Sequence, residues 1–288
     1  MTLQELRTEI ASRLQKAGIE TFDYETWVFL DWKMGVGRAD YYMDPGMPVK
    51  EEKLPELYEA LAKREARIPL QYLMGHCEFM GYDFLVDERV LIPRQDTECL
   101  VEQAVDFLKW KQLTSKSLRI LDLCTGSGCI GISLKLLFPD AQVTLADLSQ
   151  GALAVAGENA RRLDAKVDIL QGDLFGALSD LPEEEKCFDL IISNPPYIPS
   201  QVVEGLMPEV RDHEPHMALD GTEDGLFFYR KITEQAPNYL KPSGALMYEI
   251  GAEQGQDVSH FLVENDFCQV CIVKDFAGLD RIVKGILS

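Results

Sequence analysis

Apolar side chains recur in two rhythms along the chain, and the change between them divides it. Over residues 1–68 the rhythm is helical. Leu3, Leu6, Ile10 and Leu14 share one face, Trp27, Leu30 and Met34 a second, and Leu54, Leu57, Tyr58 and Leu61 a third, with Lys and Glu opposite. Gly35-Val36-Gly37 and Asp44-Pro45-Gly46 separate these stretches as turns. This predicts a small helical bundle with no catalytic constellation of its own. Residues 69–93 change character: Glu78-Phe79-Met80-Gly81-Tyr82-Asp83-Phe84-Leu85-Val86 is aromatic and β-branched around a glycine and predicts a hairpin that bridges two domains. A helix follows over 96–110, with Leu100, Val101, Ala104, Val105 and Leu108 on one face.

From residue 117 onward, short continuous apolar runs alternate with helical patterns. The runs fall at 118–123, 142–147, 167–170, 188–193 and 244–250, and the helical patterns at about 128–137, 149–163, 224–239 and 253–264. Continuous apolar strands alternating with helices predict an α/β domain with a doubly wound, mostly parallel sheet. Two later runs, 268–273 and 281–286, are too close for a helix between them. They predict an antiparallel hairpin that closes a seven-stranded sheet. The expected division is therefore 1–68, a helical domain; 69–93, a hairpin link; and 94–288, the α/β domain.

Composition narrows the classes. With 46% hydrophobic and 26% charged residues the chain is ordinary globular material. Lys plus Arg is 28 against 48 Asp plus Glu, a net charge of −20, which argues against direct nucleic-acid binding or a home on anionic lipid. No apolar run approaches the ~20 residues that span a bilayer, so no membrane partner is expected. The first residues lack the apolar core of a signal peptide. Seven scattered cysteines suit free thiols in a reducing, cytoplasmic setting.

Two segments carry chemistry. Asp122-Leu123-Cys124-Thr125-Gly126-Ser127-Gly128-Cys129-Ile130-Gly131 runs from a strand into a helix, and its glycines allow a sharp turn and close approach to a ligand. Asp147 ends the next strand, where an acid can accept hydrogen bonds from both hydroxyls of a ribose. Asp122, at the end of the first strand, would repel a pyrophosphate but suit the amino group of a methionine-like ligand. That disfavours NAD and favours S-adenosylmethionine. Asp173, after the third strand, could receive an adenine amino group or be a solvated loop acid. The second segment ends a buried strand in Asn194-Pro195-Pro196-Tyr197. Prolines fix φ and remove donors, so the loop offers two acceptors, the Asn194 side-chain oxygen and the Pro195 carbonyl, to the two donors of a planar –NH2 group. Tyr197 could stack on that group.

Other signals are weaker. Cys268-Gln269-Val270-Cys271 is a lone Cys-x-x-Cys on a strand-like run, where alternation would send the thiols to opposite faces. His213-Glu214-Pro215-His216 is broken by its proline as a helical metal motif. No metal site is expected.

The glycine turn with its leading acid, followed by the Asn-Pro-Pro-Tyr strand end, resembles the class I (Rossmann-like) S-adenosylmethionine-dependent methyltransferases that act on planar nitrogens. More narrowly, the chain resembles the release factor N5-glutamine methyltransferases, the HemK family. Pro69-Leu70-Gln71-Tyr72-Leu73-Met74-Gly75, Ile92-Pro93-Arg94-Gln95-Asp96-Thr97-Glu98, Glu214-Pro215 with Asp224-Gly225-Leu226, Glu249-Ile250-Gly251 with Gln254, and Lys274–281 carry that likeness. The resemblance implies methyl transfer to the glutamine of a Gly-Gly-Gln motif in peptide chain release factors 1 and 2, with S-adenosylhomocysteine as product. It implies Asn194, Pro195, Pro196 and Tyr197 at the catalytic centre. It implies a cofactor site of Asp122, Thr125, Gly126, Gly128, Asp147, Leu148, Asp173, Leu174 and Asn194. A substrate-recognition role for residues 1–68 and a monomeric enzyme are expected. An N6-adenine methyltransferase of DNA or RNA is the alternative, since the same loop chemistry serves an exocyclic amine; a NAD-dependent dehydrogenase and a silent S-adenosylmethionine-binding adaptor are less consistent with these residues. The chain departs from the family pattern at Gln95, Cys124 and Thr222, the last two standing where the family has glycine.

Overall fold

The computed structural model describes residues 1–112 and 117–288, and the chain forms two units. The first comprises Met1–Gly75 and Met207–His213; the second comprises His76–Leu206 and Glu214–Ser288.

The first unit is helical: α1 (Leu3–Lys16), α2 (Phe22–Phe29), α3 (Arg38–Met43), α4 (Leu54–Glu65) and α5 (Leu70–Met74). Thr2 starts α1 with a reciprocal cap, its hydroxyl accepting from Glu5 N at 3.2 Å while the Glu5 carboxylate accepts from Thr2 N at 2.8 Å. The stripe of Leu3, Leu6, Ile10 and Leu14 is buried, packed with Phe29, Leu30, Leu57 and Leu61. Two helices go beyond the sequence reading. The α3 helix lies between the two turns and buries only Tyr41, so it has no apolar repeat to reveal it. The α5 helix occupies part of the stretch read as hairpin.

Residues 207–213 return to this unit and bring Glu209 to two arginines of α4 and its exit. Arg64 donates to Glu25 at 2.7 and 3.0 Å and to Glu209 at 2.9 Å, and Arg67 donates to the second Glu209 oxygen at 2.5 Å. Arg64, Glu25 and Glu209 are all buried. Burial pushes the Glu209 carboxyl up, but Arg67 and Arg64 outweigh it and hold the group below its ordinary value.

The second unit opens with the hairpin, β1 (His76–Phe79) and β2 (Tyr82–Leu85), followed by α6 (Gln95–Gln112). Then come β3 (Arg119–Leu123), α7 (Cys129–Leu137), β4 (Gln142–Asp147), α8 (Gln150–Arg162), β5 (Asp168–Gln171) and β6 (Phe188–Ser193). The short turns α9 (Ser200–Val203) and α10 (Pro208–Arg211, inside the returning segment) precede α11 (Phe227–Gln235), β7 (Leu240–Glu249), α12 (Gly255–Glu264), β8 (Phe267–Lys274) and β9 (Asp280–Leu287). The seven strands run in the order β5-β4-β3-β6-β7-β9-β8. All neighbours are parallel except β9, which is antiparallel to both β7 and β8.

Alternation along the strands covers both faces. Ile120, Val143, Leu190 and Ile192 pack with residues of α6, α7 and α8, whereas Leu121, Leu123, Ile191 and Leu246 pack with Tyr229 and Ile232 of α11 and Val258 and Leu262 of α12. The strand order reverses between β3 and β6, and in such sheets ligands bind beyond the carboxyl ends of the strands at that point. Leu123, Ser193 and Tyr248 stand level there, and Ser193 Oγ donates to the Leu123 carbonyl at 2.7 Å.

Strand β8 corrects the expectation for its cysteines. The register slips between Cys268 and Cys271, with Gln269 at φ 51°. Cys268 then pairs with Ile286 and Cys271 with Lys284, two residues apart on β9, so this bulge puts both exposed thiols on one face. Among the described residues, no group of three or more His, Cys, Asp or Glu is placed to hold a metal ion, and no helix is long and apolar enough to cross a membrane.

Candidate active site

The glycine turn spans the gap between β3 and α7. Gly128, at φ 81°, is the residue before α7, and a Cβ on it would lie 2.7 Å from Ile132 Cδ1. A Cβ on Gly131 would lie 2.2 Å from Leu145 Cδ2, so this helix can approach β4 only with glycine there. Asp122 is fully buried and braces the turn from below. Its Oδ2 accepts from the Thr125 hydroxyl at 2.6 Å and from Gly131 N at 2.9 Å, while Oδ1 is buried with no partner. Burial pushes its carboxyl up to about 7, against those two hydrogen bonds. Asp147, at the end of β4, faces the turn. One oxygen accepts from Gly126 N and the other from Ser149 N, both at 2.9 Å, and burial raises its carboxyl above the ordinary value.

Above these elements lies a cavity. Thr125, Gly126, Asp147, Leu148, Asp173 and Leu174 line one part of its wall, and Asn194 and Pro196 another. Of the residues singled out from sequence, Asp122, Gly128, Pro195 and Tyr197 do not line it. Asp122 and Gly128 shape the turn from behind, and Pro195 is buried under the loop. The half-buried Tyr197 ring packs against the core cluster that includes residues of α11, and its hydroxyl donates to Glu249 Oε1 at 3.5 Å.

The loop after β6 is held through its backbone. Ile198 N donates to the Leu219 carbonyl at 3.0 Å, Gly221 N to the Ile198 carbonyl at 2.8 Å, and Gln254 Nε2 to the Tyr197 carbonyl at 2.9 Å. Gly221 and Gly225 press against this backbone: added Cβ atoms would lie 2.7 Å from Tyr197 Cα and 2.3 Å from the Tyr197 oxygen. The two departures from the family's glycines both fall at left-handed backbone, Cys124 at φ 58° and Thr222 at φ 72°. A β-branched residue is strained there. Thr222→Gly is therefore expected to stabilise the chain by about 1 kcal/mol, since the Thr222 hydrogen bonds, from Ser200 N and Gly225 N to its carbonyl and from its N–H to Asp220, are all made by its backbone. The urea midpoint measures this, and an unchanged midpoint would show the strain to be relieved elsewhere.

Sequence reasoning missed a further wall. Arg89, Val90, Leu91, Pro93, Arg94 and Thr97 line the cavity from the segment before α6 and its first turn, and Met217, Ala218 and Phe228 from the other side of the chain. Arg94 is paired with the buried Glu214 carboxylate, whose other oxygen accepts from Ile92 N at 3.2 Å. Pro93, Arg94 and Thr97 lie in the Pro-Arg segment and Ala218 beside Glu214-Pro215, both marked only by likeness to the family; nothing in periodicity marks Thr97, which is 2% exposed and whose hydroxyl oxygen accepts from Asn194 Nδ2 at 3.5 Å.

The seven-stranded sheet with β9 reversed, and a glycine turn facing an Asn-Pro-Pro loop across the strand ends, define a class I methyltransferase fold. A solved methyltransferase from Pyrococcus furiosus shares that fold, with a TM-score of 0.51 at 18% identity, covering 78% of this chain and 98% of its own. Residues 101–207 match the family model described as methyltransferase small domain, and residues 5–75 that described as PrmC N-terminal domain. The release factor glutamine methyltransferase of Geobacter sulfurreducens is 42% identical over 272 residues, covering 94% of this chain and 92% of its own. That of Moorella thermoacetica is 40% identical over 288 residues, covering 98% and 97%. The chain belongs to the release factor glutamine methyltransferase family.

Proposed function

We propose that this protein transfers a methyl group from S-adenosylmethionine to the side-chain amide nitrogen of the glutamine in the Gly-Gly-Gln motif of peptide chain release factors 1 and 2, leaving S-adenosylhomocysteine. Family membership supports the reaction. The observation that carries the site is the placement of Asn194 on the wall of the cavity that Gly126 and Asp147 also line.

The residues suit this cofactor. Asp147 on the cavity wall is an acid that would repel phosphates and favour a cationic ligand, while the buried Asp122, with its orphaned Oδ1, braces the turn behind it. Asp147 would accept from the ribose hydroxyls, Asp173 from the adenine amino group, and Leu148 and Leu174 would flank the base, with Thr125, Gly126 and Gly128 shaping the turn. Bound there, the cofactor supplies an electrophilic methyl on a sulfonium.

The protein's part is positioning. An amide nitrogen is a poor nucleophile because its lone pair is delocalised. Asn194 Oδ1 and the Pro195 carbonyl each accept one N–H of the substrate amide. This holds the lone pair in line with the methyl and stabilises the positive charge that grows on nitrogen. Pro196 stiffens the loop and Tyr197 anchors it. Once methylated, the cationic amide nitrogen is acidic enough to give its proton to water, so no strong base is required at the outset. The helical unit, with the hairpin, is read as recognising the release factor beyond its glutamine, and the enzyme as a cytoplasmic monomer.

The test is incubation of the purified protein and labelled S-adenosylmethionine with purified release factor and, separately, with DNA and RNA. Mass spectrometry should find one added methyl on the glutamine of the Gly-Gly-Gln peptide. Label in nucleic acid and none in protein would overturn this reading in favour of adenine methylation.

A further inference from the structure

Phe276, in the turn between β8 and β9, is 92% exposed, more than any other large hydrophobic residue among those described, and Leu279 in the same turn is 50% exposed. A single apolar residue on a surface is ordinary. Here the backbone beneath the two is locked. Asp275, buried at the root of the turn, accepts at Oδ1 from Ala277 N at 2.9 Å and Leu279 N at 3.0 Å, and at Oδ2 from Arg281 Nη2 at 3.1 Å. Its own N–H donates to the Leu279 carbonyl at 2.9 Å, and Lys274 Nζ donates to the Gly278 carbonyl at 3.0 Å. The turn therefore holds two apolar side chains out on a fixed frame.

The sheet places this frame at its ligand end. Strand β7 is parallel to β6, and β9 is antiparallel to both β7 and β8, so β8 runs with β6 and ends where β6 ends. Ser193 is level with Tyr248, Glu249 with Ile282, and Ile282 with Val273, so the turn begins just beyond the level of Asn194. At about 4.8 Å per strand spacing, β9 and β8 lie about 10 and 15 Å from β6. Arg281 joins the root of the turn to the site. It donates to the Ile250 carbonyl at 3.3 Å and pairs at 3.3 Å with Asp96, the residue before the cavity-lining Thr97. The acids assigned to the cofactor, Asp147 and Asp173, follow β4 and β5, on the other side of Asn194.

A glutamine delivered by a protein reaches Asn194 on a polypeptide that continues over the surface. With the cofactor on the β4–β5 side, the side of β7, β9 and β8 is left for that polypeptide, and an extended chain reaches the turn in about three to five residues. We propose that the β8–β9 turn is a docking point for the release factor, with Phe276 and Leu279 packing against apolar side chains of the polypeptide next to the methylated glutamine. This rests on the methyl-transfer reading. The contact lies away from the reacting atoms, so it supplies binding and leaves the chemical step alone. A turn already fixed loses little freedom when the substrate arrives, so burial of Phe276 is returned as affinity.

The test measures KM and kcat for methylation of full-length release factor by wild type, Phe276→Ser, Phe276→Leu and Leu279→Ser. Calorimetry gives S-adenosylmethionine affinity, and sedimentation velocity the state of assembly. Phe276→Ser should raise KM about tenfold, the scale of burying much of one Phe side chain, with kcat and cofactor affinity unchanged. Phe276→Leu should stay within about threefold of wild type, and Leu279→Ser should raise KM by a smaller factor than Phe276→Ser. If wild type methylates no release factor, the functional reading falls and this inference with it. If wild type is active and Phe276→Ser keeps its KM, this inference alone is overturned. It is overturned too if wild type sediments as a dimer that Phe276→Ser dissociates with KM unchanged, since the turn then meets a second copy of this chain. A fall in kcat and cofactor affinity at steady KM also overturns it, because the turn then only braces the site. Should Phe276→Ser fail to fold, Leu279→Ser decides alone.

Discussion

Asn194→Ala is expected to lower kcat for methyl transfer by roughly 10²–10³, the usual cost of removing one group aimed at developing charge, while S-adenosylmethionine affinity stays near wild type. The separation follows from where Asn194 sits. It follows the buried end of β6 and shares the cavity wall with Pro196, while the loop around it is held by contacts its side chain does not make: the Ile198–Leu219 and Gly221–Ile198 backbone bonds and the Gln254 bond to Tyr197. The loop should keep its shape in the mutant, so only the acceptor is lost and the substrate amide can rotate out of line. Asn194→Asp keeps an acceptor oxygen but adds charge, and partial activity is expected. Single-turnover rates set against calorimetric affinity decide the matter; methyl transfer at near wild-type rate in Asn194→Ala would rule out the two-acceptor mechanism.

Arg64→Leu should destabilise the helical unit by about 3–5 kcal/mol. The arginine is buried between Glu25 and Glu209, and its removal leaves Glu25 without a cation and Glu209 with Arg67 alone. The large effect comes from stranding buried charge, not from the worth of the pair itself. A triple replacement of Arg64, Glu25 and Glu209 by apolar residues should recover most of the loss. Chemical unfolding followed by Trp27 and Trp32 fluorescence reports on this unit, and a loss under about 1 kcal/mol would place the network in the class of weak surface pairs.

Strong local rhythms were legible from sequence. The buried stripe of α1, the apolar runs of β3, β4 and β6, and the glycine turn all declare themselves because burial on one or both faces demands a fixed period. The α3 helix was invisible because it buries one residue and is held by its neighbours. The bulge at Gln269 was invisible because a slip of register belongs to the pair of strands, not to one of them. In the site, Asp147, Gly126 and Asn194 could be placed because each ends a recognisable strand or opens a helix. Thr97 was marked only by the family likeness of its segment, because its bond to Asn194 joins α6 to the Asn-Pro-Pro loop, about a hundred residues apart in the chain.

The return of residues 207–213 to the helical unit has a consequence for how the protein is made. The first 75 residues leave the ribosome with Glu25 and Arg64 present but with Glu209 still to be synthesised. At about 5–20 residues per second, the missing carboxylate follows on the order of 10 s later. Until then the nascent helical unit carries Arg64 and Arg67 in excess over their buried partners. The amino-terminal portion, though first to emerge, is thus completed only after most of the other unit has been made, and its maturation is timed by the translation of the segment that follows the Asn-Pro-Pro loop.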